Sequence, residues 1–145
     1  MNKLKKLVLL VAFTSMFSIQ PVSAEQTLYS RLGGYDALAA VVDDLMGRLA
    51  ADHQVGRVLK YIPESRFLYV RQMMVDFLCA ATEGPCKYIG KSMIEAHKGM
   101  GLTQSDWNLT VAHLKVTLNK FNVANKEQQD VINAISGLKE SIIDI

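Results

Sequence analysis

The chain has 145 residues, 50% hydrophobic and 21% charged, which suits one packed domain and excludes a second of ordinary size. Its formal charge of +2 is small, and no basic patch is interleaved with aromatics, so a nucleic-acid partner is excluded as well.

In chain order, residues 1–24 read as an export signal. Lys3, Lys5 and Lys6 form a basic start, an apolar run covers 7–19, and Val22, Ser23 and Ala24 supply the small residues that a signal peptidase reads. Thr14, Ser15 and Ser18 interrupt the run, which is shorter than the roughly 20 residues a membrane span needs. The expectation is a cleaved signal, a single domain at 25–145 exported to the periplasm, and membrane contact only through the signal. Without the three signal lysines, 13 Lys+Arg face 14 Asp+Glu, and the net charge becomes −1.

The rest of the chain reads as all-α. Gly33 and Gly34 precede a first amphipathic helix in which Leu38, Val41, Val42, Leu45 and Leu49 recur at three and four residues. Asp43 and Asp44 on that helix are adjacent, so they point in different directions and read as solvated or capping charges. Pro63 and Glu64 open a second helix carrying Phe67, Val70, Met74, Phe77, Leu78 and Ala81, and Gly84 with Pro85 closes it. Met74 and Phe77 lie on its inward face, with Met73 about 60° to one side at the helical advance of about 100° per residue.

Cys79 and Cys86 are seven apart, with Glu83, Gly84 and Pro85 as turn material between them. In an oxidising compartment they can form a disulfide; a buried Cys79 and an unrelated loop Cys86 is the equal alternative. Neither stands in a C-x-x-C-H element or at zinc-site spacing, so covalent haem attachment and a structural zinc are not indicated.

Ser92-x-x-Glu95 is a capping box opening a short helix that Gly99 or Gly101 ends, and Thr103-x-x-Asp106 opens the next. Trp107, Val111, Leu114, Leu118 and Phe121 mark that third long helix; Val131, Ile135, Leu138 and Ile142 mark a fourth. His97 therefore sits on a turn or two of helix with little intrinsic stability. Either burial of Met93, Ile94 and Met100 holds that helix down, or a metal bond from the imidazole does. Taken alone, Met46, Met73, Met74, Phe77, Met100, Trp107 and Val111 read as core packing before they read as apolar walls for a flat cofactor. No nucleophile–base order and no glycine-rich phosphate loop is present, so ordinary hydrolytic or phosphoryl-transfer chemistry is not expected.

Taken together, Leu28-Tyr29-x-x-Leu32-Gly33-Gly34, the Val41-Val42-Asp43-Asp44 helix, Glu83-Gly84-Pro85, Tyr88-x-Gly90, Met93-x-x-Ala96-His97-x-Gly99 and Ala112-His113-Leu114 resemble the truncated haemoglobins of the first group. The order and spacing of these pieces cover nearly all of 27–143.

The resemblance implies a shortened globin in which two helix pairs, two over two, sandwich one non-covalent haem b. It makes His97 the proximal iron ligand, with His53 and His113 as polar or structural residues. It also implies that Tyr88 and Lys91 meet the haem propionates at the pocket edge.

Where members that hold O2 tightly often carry a tyrosine and a glutamine, this chain has Met46 and Met74, neither able to donate a hydrogen bond. The phenylalanine usual at the turn toward the haem is absent; Leu59 and Tyr61 lie nearby, and extra residues around Ile62 blur the match. Tyr61 and Tyr69 are the phenols able to substitute.

Three functions follow. The first is reversible binding of O2, NO or CO in an apolar, Met-rich pocket. The second is a six-coordinate His97/Met73 or His97/Met74 haem that carries electrons to a redox partner protein or senses redox state or gas. The third is a haem-free helical interaction protein.

Overall fold

The computed structural model describes residues 26–60 and 62–145; residues 1–24, on which the expectation of an export signal falls, Glu25 and Tyr61 lie outside the described residues. In chain order the elements are α1 (Leu28–Arg31), α2 (Gly34–Ala51), α3 (Gly56–Leu59), α4 (Glu64–Ala81), α5 (Met93–His97), α6 (Gln104–Lys120), α7 (Asn125–Ser136) and a 3-10 turn, η1 (Lys139–Ser141). Every described element is helical, and none is long and apolar enough to cross a membrane.

Gly33 begins α2 because its φ of 96° is left-handed, which lets the chain leave α1 and re-enter a helix within two residues. The apolar repeat of α2 then feeds two clusters. Val41, Leu45 and Leu49 join Leu28, Val55, Leu114, Leu118 and Val131, which binds α1, α2, α6 and α7 together. Val42 and Met46 meet Val75 of α4. The widest packing is accordingly α2 on α4 and α2 on α6, with α7 closing on α6 and α1.

Charges finish those seams. Asp43 accepts two bonds from the Arg71 guanidinium, at 2.5 and 2.7 Å. Asp44 joins Arg48, Lys120 and the Thr117 hydroxyl, and those donors hold its carboxyl far below the usual range. The adjacent carboxylates do point apart: Asp43 stays exposed while pairing across to α4, and Asp44 is held between α2 and α6.

Three expectations shift. The short α1 and α3 carry too few apolar repeats to be read by periodicity. The last helix stops at Ser136, with Gly137 as its C-cap, and only a 3-10 turn continues toward Ile142. Phe67, placed by spacing on the inward face of α4, is 39% exposed, as is the whole of 64–69, and the buried positions of α4 are Val75 and Cys79.

Candidate functional site

α5 has five residues, too few to persist alone. Its supports are local and polar. Ser92 Oγ accepts from Glu95 N at 3.2 Å, while Glu95 Oε2 accepts from Ser92 N at 3.1 Å, completing the capping box. Beyond it, Gly99 N donates to Ile145 O and Asp144 N to Leu102 O, and α5 packs on η1. Burial contributes less than the sequence suggests: Ile94 is 53% exposed, Met100 is exposed, and Met93 is only half-buried.

On this helix the half-buried His97 ring has its Nδ1 2.8 Å from the carbonyl oxygen of Met93. A carbonyl can only accept, so Nδ1 carries the proton and the free lone pair falls on Nε2. Among the described residues the ring makes no other hydrogen bond. A neutral imidazole with Nδ1 tied to backbone and Nε2 open is the arrangement of a metal-ligating histidine.

The other two histidines are differently placed. His113 Nε2 lies 2.9 Å from Asp52 Oδ2, and that contact, with the Val55 and Gln54 amides, pulls Asp52 down to about 2. His53 is exposed in the turn after α2.

A cleft of about 460 Å³ adjoins α5, lined by Arg57, Val58 and Ile62 on one side and Lys98, Gly99 and Met100 on the other. Of the candidate haem residues only Met100 lines it; His97 is not among its lining residues. A second, apolar cavity of about 140 Å³ lies between Leu38, Val41, Leu118 and Val131 and touches none of the candidate haem residues.

The α4 residues divide. Met74 packs against both core clusters and Met46, at 2% exposed, lies in the α2–α4 cluster, whereas the half-buried Met73 and Phe77 lie off both clusters. Phe77 meets Tyr88 edge to face, with ring centroids 5.4 Å apart. The Tyr88 hydroxyl donates to Lys91 O at 2.6 Å, and burial, then the nearby Tyr69, raises its pKa. Tyr88 thus ties α4 to the backbone just ahead of α5. Lys91 itself is exposed and makes no ion pair among the described residues. Tyr69 is 49% exposed beneath the Arg66 guanidinium, at the surface. Trp107 and Val111 are half-buried on α6.

Cys79 and Cys86 are joined by a disulfide, Cα to Cα 5.7 Å, from the last turn of α4 to the loop leading to Tyr88. Two glycines shape that loop. A Cβ on Gly84 would come within 2.6 Å of Cys79 Sγ and 2.5 Å of the Tyr29 ring, and one on Gly90 would overlap the Tyr88 ring. Neither position has room for a side chain.

Sequence reasoning missed Arg57 and underread Asp106, which it took only for a helix cap. The Asp106 carboxylate is 1% exposed and accepts from Arg57 Nη1 and Nη2, at 2.7 and 2.8 Å, besides Thr103 and Gln54. The Arg57 guanidinium holds its pKa well below the usual range. Because the folded value is the depressed one, the stabilisation is complete above about pH 4 and fades as pH falls below that. Asp106→Asn is expected to lower Tm at neutral pH and to flatten the acid limb of Tm against pH. A limb as steep as in the parent would show that other carboxylates carry the acid response.

The bacterial-like globin family model matches residues 27–144. A group 1 truncated hemoglobin of Mycolicibacterium paratuberculosis is 30% identical over 116 residues, 80% of this chain and 83% of that protein. One from Tetrahymena thermophila is 32% identical over 102 residues, 70% of this chain and 82% of that one. Among solved structures, the Fe(III) form of the Tetrahymena pyriformis truncated hemoglobin superposes with a TM-score of 0.75 at 29% identity, covering 81% of this chain and 98% of that chain.

Proposed function

This chain belongs to the bacterial-like globin family, whose cofactor is haem and whose ligand is a diatomic gas, and on that premise we propose that His97 holds haem b while the gas enters an apolar, Met-rich distal pocket. The observation that carries the proposal is the Nδ1–H of His97 on Met93 O, which frees Nε2 for iron. Bound haem supplies an iron that takes O2, NO or CO.

The protein's own part is to orient and to exclude. The 2.8 Å bond fixes the ring's rotation, and the capping box fixes the helix that carries it. Phe77, Val111 and Trp107 supply apolar surface, and the thioethers of Met46, Met74, Met93 and Met100 add polarisable surface without a proton. Bound O2 therefore receives no hydrogen bond from Met46 or Met74, and tight storage is not the role. CO and NO need no such donor. At the pocket edge the Tyr88 proton is committed to Lys91 O, which leaves the Lys91 ammonium as the cation for a propionate. Periplasmic export is part of the reading, supported by the Cys79–Cys86 bridge, since disulfides persist in oxidising compartments.

One observation favours a second reading. Met73 is half-buried on α4 yet outside both core clusters, so its thioether is freer than that of Met74 to act as a sixth ligand in a redox haem. Ferric and dithionite-reduced spectra of the haem-loaded protein, beside Met73→Ala and Met74→Ala, separate the two. The gas-binding reading expects a five-coordinate ferrous form that responds to CO and NO in all three proteins. Low-spin bands in both oxidation states that vanish in Met73→Ala would replace it with the electron-carrier reading. No Soret band on adding haem would leave the haem-free interaction protein.

A further inference from the structure

We propose that Arg57 is a positioning residue for the proximal ligand: with Asp106 it fixes the loop that follows His97 and so sets where the imidazole is held. The inference rests on His97 being the iron ligand.

Arg57 stands on α3, a single turn, and both terminal nitrogens of its guanidinium are doubly engaged. It forks both oxygens of Asp106, donates through Nη1 to Gln54 O at 2.5 Å, and through Nη2 to Gly101 O at 3.0 Å. Asp106 is saturated in turn: Thr103 N and Thr103 Oγ1 donate to it at 2.8 Å and Gln54 Nε2 at 2.9 Å. The result is a rigid polar joint between the α2–α3 turn and the α5–α6 loop.

That loop has little else to hold it. Gly99 and Gly101 adopt φ of 77° and 58°, and a Cβ at either would meet nothing within 4 Å, so no side-chain packing pins the backbone there. Its tethers to the rest of the fold include the Arg57 bond to Gly101 O and the two backbone bonds to the C-terminal residues, and within the loop Met100 N donates to His97 O at 3.0 Å. Gly101 is four residues from His97. The cleft walls, Val58 and Ile62 against Lys98 and Met100, are joined at Arg57, which lines the cleft itself. A change in that joint is transmitted through four residues of loop to the imidazole. Lysine cannot replace it, because a point charge does not make the fork and the carbonyl bond together.

The test uses the haem-loaded protein with Arg57→Gln, Arg57→Lys and, as a control, Arg71→Gln, which removes an equally forked ion pair from the α2–α4 seam. Three quantities are read: the ferrous iron–histidine stretching band by resonance Raman, the rate of haem transfer to excess apomyoglobin, and amide exchange over 99–102 in the haem-free protein. Arg57→Gln is expected to broaden or shift the band, speed haem loss about tenfold and accelerate exchange at 99–102. Arg57→Lys should fall between, and Arg71→Gln should match the parent. If Arg57→Gln does not fold, Arg57→Lys carries the comparison.

A band and transfer rate unmoved by the Arg57 variants overturn the proposal, as does an equal effect of Arg71→Gln, which would reduce Arg57 to general stability. A parent lacking any iron–histidine band overturns the His97 ligation beneath it. Amide exchange at 99–102, read without haem, distinguishes that failure from failure of the clamp.

Discussion

Replacing His97 by alanine is expected to cost the protein stable haem while leaving its helices intact. The side chain is half-buried on a capped single turn, and its one hydrogen bond, to Met93 O, lies within α5, so little of the fold depends on it. The iron bond does. Losing a ligand outright should exceed the roughly 10–100-fold cost of losing an outer-shell partner, so haem transfer should accelerate by more than about a hundredfold. Far-ultraviolet circular dichroism should be unchanged and added imidazole should restore part of the spectrum. His113→Ala and His53→Ala are the discriminating controls. The first loses a contact to Asp52 and some stability, the second an exposed turn residue, and neither should alter the haem bands. Retention of native bands in His97→Ala with their loss in His113→Ala would move the ligand to α6.

Cutting the Cys79–Cys86 bridge should have the next largest effect. Closing so short a loop removes unfolded-state entropy equivalent to about 2–3 kcal/mol, which for a domain of this size lowers Tm by on the order of 10 °C. Cys86→Ser is the cleaner variant, since Cys79 has no exposed surface and a serine there would bury a hydroxyl. The effect should reach the haem. The bridge holds the end of α4 against the loop whose Tyr88 contacts Phe77 and bonds Lys91 O, and Lys91 immediately precedes the α5 cap. Reduction is thus expected to shift the haem spectrum together with Tm. If both thiols titrate as free while Tm and spectrum stay where they were, the bridge contributes neither stability nor pocket geometry.

Much of the fold was open to inspection of the sequence because its determinants are local. The long helices appear as three- and four-residue repeats, since burying one face against a neighbour demands that spacing. The caps of α5 and α6 are visible in Ser92-x-x-Glu95 and Thr103-x-x-Asp106, because a side chain that satisfies an end amide must come from within three residues. His97 stood out through its motif and through the shortness of the helix beneath it.

What escaped was nonlocal. Nothing around Arg57 announces that it meets Asp106, 49 residues later, or Gly101, 44 residues later. Met73 and Met74 are adjacent and chemically identical, and only the packing of α4 on α2 sends one into the core clusters and leaves the other outside them. The spacing of Cys79 and Cys86 permitted a bridge, and the turn at Gly84, too tight for any Cβ, is what brings the sulfurs together. By itself the sequence determined the helical class and the capped starts of α5 and α6, because periodicity and capping act over a few residues. Which thioether stays free, how the proximal loop is braced and which charges lock the seams were decided only in the tertiary structure, where distant segments meet and exclude water.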